Sequence, residues 1–166
     1  MQLPRRFRFY QISVAELLIW FKSIKAMLQR FKIWEEQKSN IMTPWENIGD
    51  GVVIHSHCWI GKDVRIGKNV KIQAFTFIPD GVEIEDDVFI GPRVTFTNDR
   101  ELNTKGKEFW KKTIVKKGAK LGASVTIVAG VTIGEGAKIG AGAVVVNDIP
   151  AGDDWWVGVP AKKLIK

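Results

Sequence analysis

The sequence predicts an all-β solenoid, a β-helix built from six-residue repeats, with a helical appendage before it and one extruded loop. An aliphatic or aromatic residue recurs at every sixth position over residues 48–96 and again over residues 115–145, and a smaller residue follows each one four positions later. A period of six does not fit an amphipathic helix, because it spreads the repeated residues over every face of a 3.6-residue spiral. Each repeat instead predicts one short strand and a turn, with the bulky residue inward and successive coils stacked into a continuous core.

The composition is that of one globular domain with an appendage. The chain has 166 residues, of which 45% are hydrophobic, enough for a packed core. Cys58 is the single cysteine, so no disulfide can form within the chain, which agrees with a reducing, cytoplasmic location. Residues 1–41 hold eight Lys and Arg against three Glu, which places most of the formal net charge of +7 in the appendage.

Residues 1–41 are predicted to form a basic amphipathic helical appendage. Apolar side chains follow helical spacing between residues 14 and 34, at Leu17, Phe21, Ile24, Leu28 and Phe31. The apolar run between charged residues is far shorter than the roughly 20 residues of a membrane span, and the pattern of a secretory signal is absent. Two interpretations stay open: a helix that packs on the solenoid or on a neighbouring subunit, and an interfacial helix whose residues 13–34 contact anionic lipid. It also stays open whether Met42 is the natural start.

Residues 42–154 are predicted to form the β-helix, with a loop at about residues 97–112, and residues 155–166 a C-terminal tail. The loop sequence is polar, and its flanking core residues Phe96 and Val115 lie nineteen positions apart, one more than a multiple of six, so the chain must leave the helix wall. Loops on a rigid scaffold often carry function. The acidic residues ahead of the loop are expected to be solvated corner residues: Asp80, Glu83, Glu85, Asp86 and Asp87.

Four features together resemble the left-handed β-helix acyltransferases with hexapeptide repeats. They are the six-residue ladder, the segment IEDDVFIGP at residues 84–92, the segment FTNDR at residues 96–100 that opens the loop, and the ending VGVPAK at residues 157–162. Within that superfamily the sequence is most similar to the nucleotide-sugar N-acetyltransferases that acetylate 3-amino sugars for surface polysaccharides or O-antigen. The resemblance covers residues 47–166 and implies a left-handed coil, whereas chirality rules for parallel crossovers alone favour the right hand.

The resemblance implies a homotrimer of parallel prisms that binds acetyl-CoA between neighbouring subunits and a nucleotide sugar near the loop. By position, it implies that Asn98 and Asp99 line the acceptor pocket near the amine and that Gln73 and Phe75 lie close to the acceptor. The residues expected to contact the pantetheine arm and the phosphates of acetyl-CoA are Gly122, Ala123, Ala129, Ala141, Lys162 and Lys163. The loop reads DREL at residues 99–102, where an aromatic residue and a proline are usual, so the identity of the acceptor stays open.

Two arginines are further candidates for binding the substrate. Arg93 is a corner residue that follows Gly91 and Pro92, and Arg100 lies in the loop itself. A guanidinium group suits the diphosphate of a nucleotide sugar, because its planar N–H donors match phosphate oxygens in pairs. We therefore expect both arginines to contact the acceptor.

The histidine count favours an amine over an alcohol as the acceptor. An alcohol needs a general base, and O-acetyltransferases of this superfamily place a histidine in or just after the loop. Here the histidines are His55 and His57, in an early coil. A free amine attacks a thioester without a strong protein base, provided that it is positioned and the oxyanion is stabilised. His57 stays a catalytic candidate because it could reach the site from a neighbouring subunit.

Several other functions are compatible with parts of this pattern. An O-acetyltransferase acting on a sugar and a non-catalytic β-helix scaffold stay open as alternatives. A γ-type carbonic anhydrase uses the same coil but needs three histidines on zinc, which two histidines in one tripeptide cannot supply, so no metal is expected. No nucleic-acid partner is expected, because the basic residues lie on a short helix without a recognisable module. The sequence thus predicts an acetyl-CoA-dependent N-acetyltransferase.

Overall fold

The computed structural model describes residues 39–102 and 106–165. Nearly all of the predicted helical appendage lies outside these ranges, as does the proposed membrane contact of residues 13–34, so both stay predictions. Among the described residues, no helix has the length and apolar character that crossing a bilayer requires.

The described residues form short strands that assemble into three sheets. In chain order the strands are β1 (Asn40–Ile41), β2 (Val53–Ile54), β3 (Trp59–Ile60), β4 (Arg65–Ile66), β5 (Lys71–Ile72), β6 (Phe77–Ile78), β7 (Val82–Ile84), β8 (Phe89–Ile90), β9 (Thr95–Phe96), β10 (Thr113–Val115), β11 (Lys120–Leu121), β12 (Thr126–Ile127), β13 (Thr132–Ile133), β14 (Lys138–Ile139), β15 (Val144–Val145), β16 (Trp155–Val157) and β17 (Lys162–Lys163). Two 3₁₀ turns lie at Trp45–Asn47 and Lys107–Phe109.

The three sheets are the walls of a parallel solenoid. Sheet A has the order β1-β3-β6-β9-β12-β15, sheet B has β13-β10-β7-β4, and sheet C has β17-β16-β14-β11-β8-β5-β2. The chain visits A, B and C in turn, and paired residues such as Trp59 and Phe77 lie eighteen positions apart. Three six-residue repeats therefore make one coil, which confirms the predicted all-β solenoid. The left hand of the coil stays a prediction of the resemblance.

Both repeated series face the interior, as the sequence predicts. The bulky series is buried at every position from Ile48 to Val145, and the small series is buried from Cys58 to Ile149, with Val52 partly buried. The Cys58 thiol donates a hydrogen bond to the carbonyl oxygen of Gln73 at 3.2 Å. Burial raises the pKa of Cys58 despite hydrogen bonds that lower it. Cys58 is therefore a packing residue with little thiolate at neutral pH.

Between the sheets the chain turns through three kinds of corner, which we name A–B, B–C and C–A after the sheets they join. Successive coils approach closely there: a Cβ at Gly91 would lie 2.7 Å from the carbonyl carbon of Gly122. Many corners contain a residue in the left-handed conformation. At B–C corners this residue is a glycine, asparagine or aspartate, which tolerate positive φ: Gly51, Asn69, Asp87, Gly118 and Gly136.

The solenoid extends slightly beyond the predicted limits at both ends. Pairing begins at Asn40 with Trp59, two residues before the expected start at residue 42. Ser39 is buried, and its hydroxyl oxygen accepts a hydrogen bond from the Cys58 N–H at 3.0 Å. At the other end, β16 and β17 form an antiparallel hairpin that continues sheet C. The segment expected to be a tail therefore contributes two strands.

Candidate functional site

The extruded loop leaves the solenoid at an A–B corner, after Phe96, and returns at Thr113. Coils pair with an offset of eighteen residues before the loop, as in Phe77 with Thr95, and of thirty-one residues across it, as in Thr95 with Thr126. The Lys111 N–H donates to the Asn98 carbonyl oxygen at 2.8 Å, which closes the loop at its base. The predicted register break is confirmed.

Two threonines form hydrogen bonds between the ends of the loop and the next coil. The hydroxyl oxygen of Thr97 accepts a hydrogen bond from the Ala129 N–H at 2.9 Å, and that of Thr113 accepts one from the Gly130 N–H at 3.1 Å. Thr113 is fully buried. Because both stems are bonded to the solenoid, the loop carries Asn98 and Asp99 on a fixed base.

Asp80 is buried and binds the returning segment of the loop, so the expectation that it is a solvated corner residue is wrong. Its two carboxylate oxygens accept hydrogen bonds from the Lys62 N–H at 2.8 Å and from the Lys107 ammonium at 2.9 Å. Burial by itself raises the pKa of Asp80, but the bonds from Lys107 and Lys62 outweigh it and leave the pKa below its ordinary value. The Lys107 ammonium also lies 4.9 Å from the centre of the Trp110 ring.

The predicted loop residues lie together at this corner. Asn98 and Asp99 are half-buried. The Asp99 carboxylate accepts a hydrogen bond from the Glu101 N–H at 3.0 Å, a local turn that orients it. Arg100 is exposed and donates from Nη2 to the carbonyl oxygen of Val146 at 3.0 Å, which leaves other guanidinium N–H groups available.

A second group of predicted residues lies at the C–A corners, on the opposite edge of sheet A. There the left-handed residues form a column, one per coil: His57, Phe75, Arg93, Ser124 and Gly142. The His57 and Phe75 rings stack with centroids 4.9 Å apart, and Phe75 is 56% exposed. Bulky side chains in this conformation cost energy that the glycines of the B–C corners avoid, and such strain is concentrated at functional sites. Gln73 lies at the same corner as Phe75.

Between these two edges, the outer face of sheet A is uncharged. Its paired outward residues are Asn40, Trp59, Phe77, Thr95, Thr126 and Val144. The Trp59 and Phe77 rings stack with centroids 4.8 Å apart. A cavity of about 380 Å³ lies over them, lined among others by Met42, Pro79, Asn98 and Trp110. Sequence reasoning missed this surface, although the eighteen-residue spacing of two aromatics at outward positions was a signal for it.

The family model for the bacterial transferase hexapeptide, built of six repeats, matches residues 63–98 and 112–147. The matched segments are the coils on either side of the loop, and the gap between them is the loop itself. The chain belongs to the hexapeptide-repeat acyltransferase family.

A curated relative of this hexapeptide-repeat chain is a bifunctional protein. The chain is 33% identical to the bifunctional protein GlmU of Zymomonas mobilis over 92 residues, which are 52% of this chain and 20% of GlmU. It therefore spans about a fifth of the length of that curated relative.

Two solved structures share the fold. One is a mutant of perosamine N-acetyltransferase from Caulobacter crescentus, in complex with CoA and GDP-perosamine, with 25% identity, a TM-score of 0.64 and coverage of 78% of this chain and 54% of that chain. The other is a mutant of the N-acyltransferase AntD from Bacillus cereus, in complex with dTDP and coenzyme A, with 27% identity, a TM-score of 0.65 and coverage of 77% of each chain.

The residues expected to contact acetyl-CoA in this hexapeptide-repeat chain are spread over three places. Gly122, Ala123 and Ala141 lie at C–A corners, where a Cβ at Gly122 would lie 2.6 Å from the Ala141 nitrogen, so coil stacking alone requires that glycine. Ala129 lies at an A–B corner, is fully buried and donates its N–H to Thr97, so its atoms are not accessible from the surface of the described chain.

The remaining cofactor candidates lie on β17 and are exposed. The Lys163 ammonium is paired with the Asp154 carboxylate at 2.7 Å, whereas Lys162 has an exposed side chain. In residues 39–102 and 106–165 no cluster of His, Cys, Asp and Glu could hold a metal ion. The candidate residues of the described site offer amide, carboxylate, guanidinium, imidazole and aromatic groups.

Proposed function

We propose that this protein is an acetyl-CoA-dependent N-acetyltransferase that acts on the amine of a nucleotide-linked amino sugar. Its family membership and its similarity to sugar-nucleotide N-acetyltransferases and N-acyltransferases support an acyl transfer to nitrogen. The loop at residues 97–112 contains no histidine in the sequence, which favours an acceptor that needs no strong base. An O-acetyltransferase acting on a sugar is the alternative that the same fold allows.

One observation supports this proposal most strongly: the candidate residues lie on the two opposite edges of one uncharged face. Asn98, Asp99 and Arg100 lie at the A–B edge of sheet A, whereas His57, Phe75 and Arg93 lie at its C–A edge. If sheet A faces a common axis, the A–B edge of each copy meets the C–A edge of the next, and this head-to-tail contact closes into a ring. A homotrimer would thus assemble complete sites between its subunits.

The proposed reaction depends more on the positioning of the amine and the thioester than on general acid–base catalysis. The neutral amine attacks the thioester carbon, a C–N bond forms, the C–S bond breaks, and the amine proton goes to the departing thiolate, so that the products are an amide and CoA thiol. Asp99 would bind the amine in its charged form, Asn98 would donate to the developing oxyanion, and Arg93 and Arg100 would bind the diphosphate. The charged amine must first lose one proton to become nucleophilic, and His57 from the neighbouring copy is the candidate to accept that first proton.

The experiment that tests the proposed function is a thiol-release assay with acetyl-CoA against a panel of amino-sugar nucleotides and their hydroxyl counterparts. We expect turnover with an amine, and a loss of about 10²-fold in kcat for Asn98→Ala, which is typical of removing an oxyanion donor. Turnover with a sugar hydroxyl and with no amine would overturn the choice of acceptor. Absence of turnover with either would favour the scaffold alternative.

The shared site can be tested by mixing two inactive variants. Asn98→Ala alters the A–B edge and Arg93→Glu the C–A edge, so a mixed ring contains some interfaces in which both edges are unaltered. Random co-assembly after co-expression should restore about a quarter of wild-type turnover, whereas either variant alone should stay roughly a hundredfold or more below the wild type. If co-expression restores nothing although mixed rings form, the site lies within one subunit.

A further inference from the structure

The cavity over sheet A lies beside a proposed catalytic residue, and it is larger and more apolar than acetyl transfer alone needs. It has a volume of about 380 Å³, it lies beside Asn98, and its walls include the rings of Trp59, Phe77 and Trp110. Phe77 is 40% exposed and Met42 45% exposed, so large apolar surfaces face the cavity without cover in the described chain. An acetyl group carries a single methyl and would leave most of this space to water.

Two of the three charged residues that line the cavity, Asp80 and Lys107, are paired with each other. Asp80 and Lys107 form an ion pair at 2.9 Å, and the remaining oxygen of Asp80 accepts the Lys62 N–H. A polar ligand group would have to compete with these bonds. An apolar ligand group would instead be stabilised by leaving water, in proportion to the surface it buries.

The position of the cavity identifies which apolar group would occupy it. In the proposed function the acyl carbonyl must lie next to the amine at Asn98, and the acyl chain continues from that carbonyl. Asn98 lines the cavity, whereas the exposed cofactor candidates Lys162 and Ala141 do not. The far end of the thioester, which carries phosphates, does not match apolar walls, but an unbranched hydrocarbon does. Met42 adds a flexible wall that adapts to chain length.

We propose that this cavity is an acyl-chain subsite, so that the enzyme transfers acyl groups of about four to six carbons in preference to acetyl. The proposal rests on the proposed function and concerns only the donor. Each methylene that moves from water into the cavity is expected to raise kcat/KM about fourfold, until the space is filled.

The test compares kcat/KM for acetyl-, propionyl-, butyryl- and hexanoyl-CoA with the best amine acceptor. We expect butyryl-CoA to exceed acetyl-CoA by about tenfold or more in the wild type. Phe77→Ala should reduce the butyryl-to-acetyl ratio by about tenfold, and Phe77→Trp, which fills the cavity without removing a ring, should also shift the preference toward acetyl. The second variant keeps the test valid if Phe77→Ala folds poorly.

Phe89→Ala is the matched control, because Phe89 is 37% exposed at the equivalent outward position of β8 on sheet C, away from the cavity. It should leave the ratio unchanged. A wild type that prefers acetyl-CoA, or a ratio that is insensitive to both Phe77 variants, would overturn the proposal and leave the proposed function intact; the cavity would then be covered by a neighbouring copy. Turnover with none of the four donors would overturn the proposed function as well.

Discussion

Replacing Asp80 tests whether one buried carboxylate holds the base of the loop. Asp80→Asn keeps the side-chain shape and an oxygen for the Lys62 N–H, but it removes the charge that binds Lys107. Asp80→Ala removes both acceptors and leaves the Lys62 N–H without its partner. From the usual net value of such bonds, we expect Asp80→Asn to lower the free energy of unfolding by about 1 kcal/mol and Asp80→Ala by about 2–3 kcal/mol.

The loss should be concentrated at the loop. The side chain of Asp80 is 11% exposed and that of Lys107 is 66% exposed, so water solvates the Lys107 ammonium when the ion pair is broken. The Lys111 N–H, which closes the loop on Asn98, reports this directly by amide hydrogen exchange. About 1 kcal/mol of local destabilisation corresponds to roughly fivefold faster exchange. The Phe89 N–H, bonded to the Ala119 carbonyl oxygen on sheet C, should be unaffected.

Urea unfolding at one fixed protomer concentration measures the global effect, since assembly would make the midpoint depend on concentration. Glu85→Gln is the matched control: it breaks an ion pair with Lys116 in which the carboxylate side chain is 34% exposed, and it should cost less than Asp80→Asn. If Asp80→Asn costs no more than Glu85→Gln and leaves Lys111 exchange unchanged, the argument that Asp80 anchors the loop is wrong.

Two further predictions concern acid stability and backbone strain. The hydrogen bond from Lys116 outweighs burial and lowers the pKa of Glu85, and the pKa of Asp80 is lowered as well. Both carboxylates therefore stabilise the folded state at pH values above the ordinary carboxyl pKa of about 4. This stabilisation is lost as the pH falls below that value. Urea midpoints measured from pH 6 to pH 3 should therefore fall less for Asp80→Asn than for the wild type, and an identical fall would contradict the assignment. Arg93→Gly relieves a φ of 59° and should raise the free energy of unfolding by about 0.5–1 kcal/mol while weakening substrate binding. Asp87→Gly is its control, because aspartate tolerates positive φ, and a destabilised Arg93→Gly would show that the corner is not strained.

The coil and its core were predictable from spacing, whereas the contacts at the loop were not. The spacing of Ile60, Val64 and Ile66 predicts which side chains face inward, because with a period of six no other arrangement buries all of them. The register break after Phe96 also followed from counting. In the sequence Asp80 resembles its acidic neighbours, which predicts a solvated wall residue. Its burial depends on Lys107, twenty-seven positions later, returning over it, and no local pattern encodes that return.

In the candidate site, too, the sequence identifies residues but not the contacts between them. Family resemblance named Asn98, Asp99, Phe75 and Gln73, but not that they lie on opposite edges of one wall, nor that the stacked Trp59 and Phe77 lie between those edges. By itself the sequence determined the solenoid, its inward residues and the place where the loop leaves, because these follow from one short repeat. Only the tertiary structure decided which residues of distant coils become neighbours. Each coil of eighteen residues stacks on the previous one, and the thirteen additional residues of the loop fold back onto the coils through contacts between residues that are far apart in the sequence.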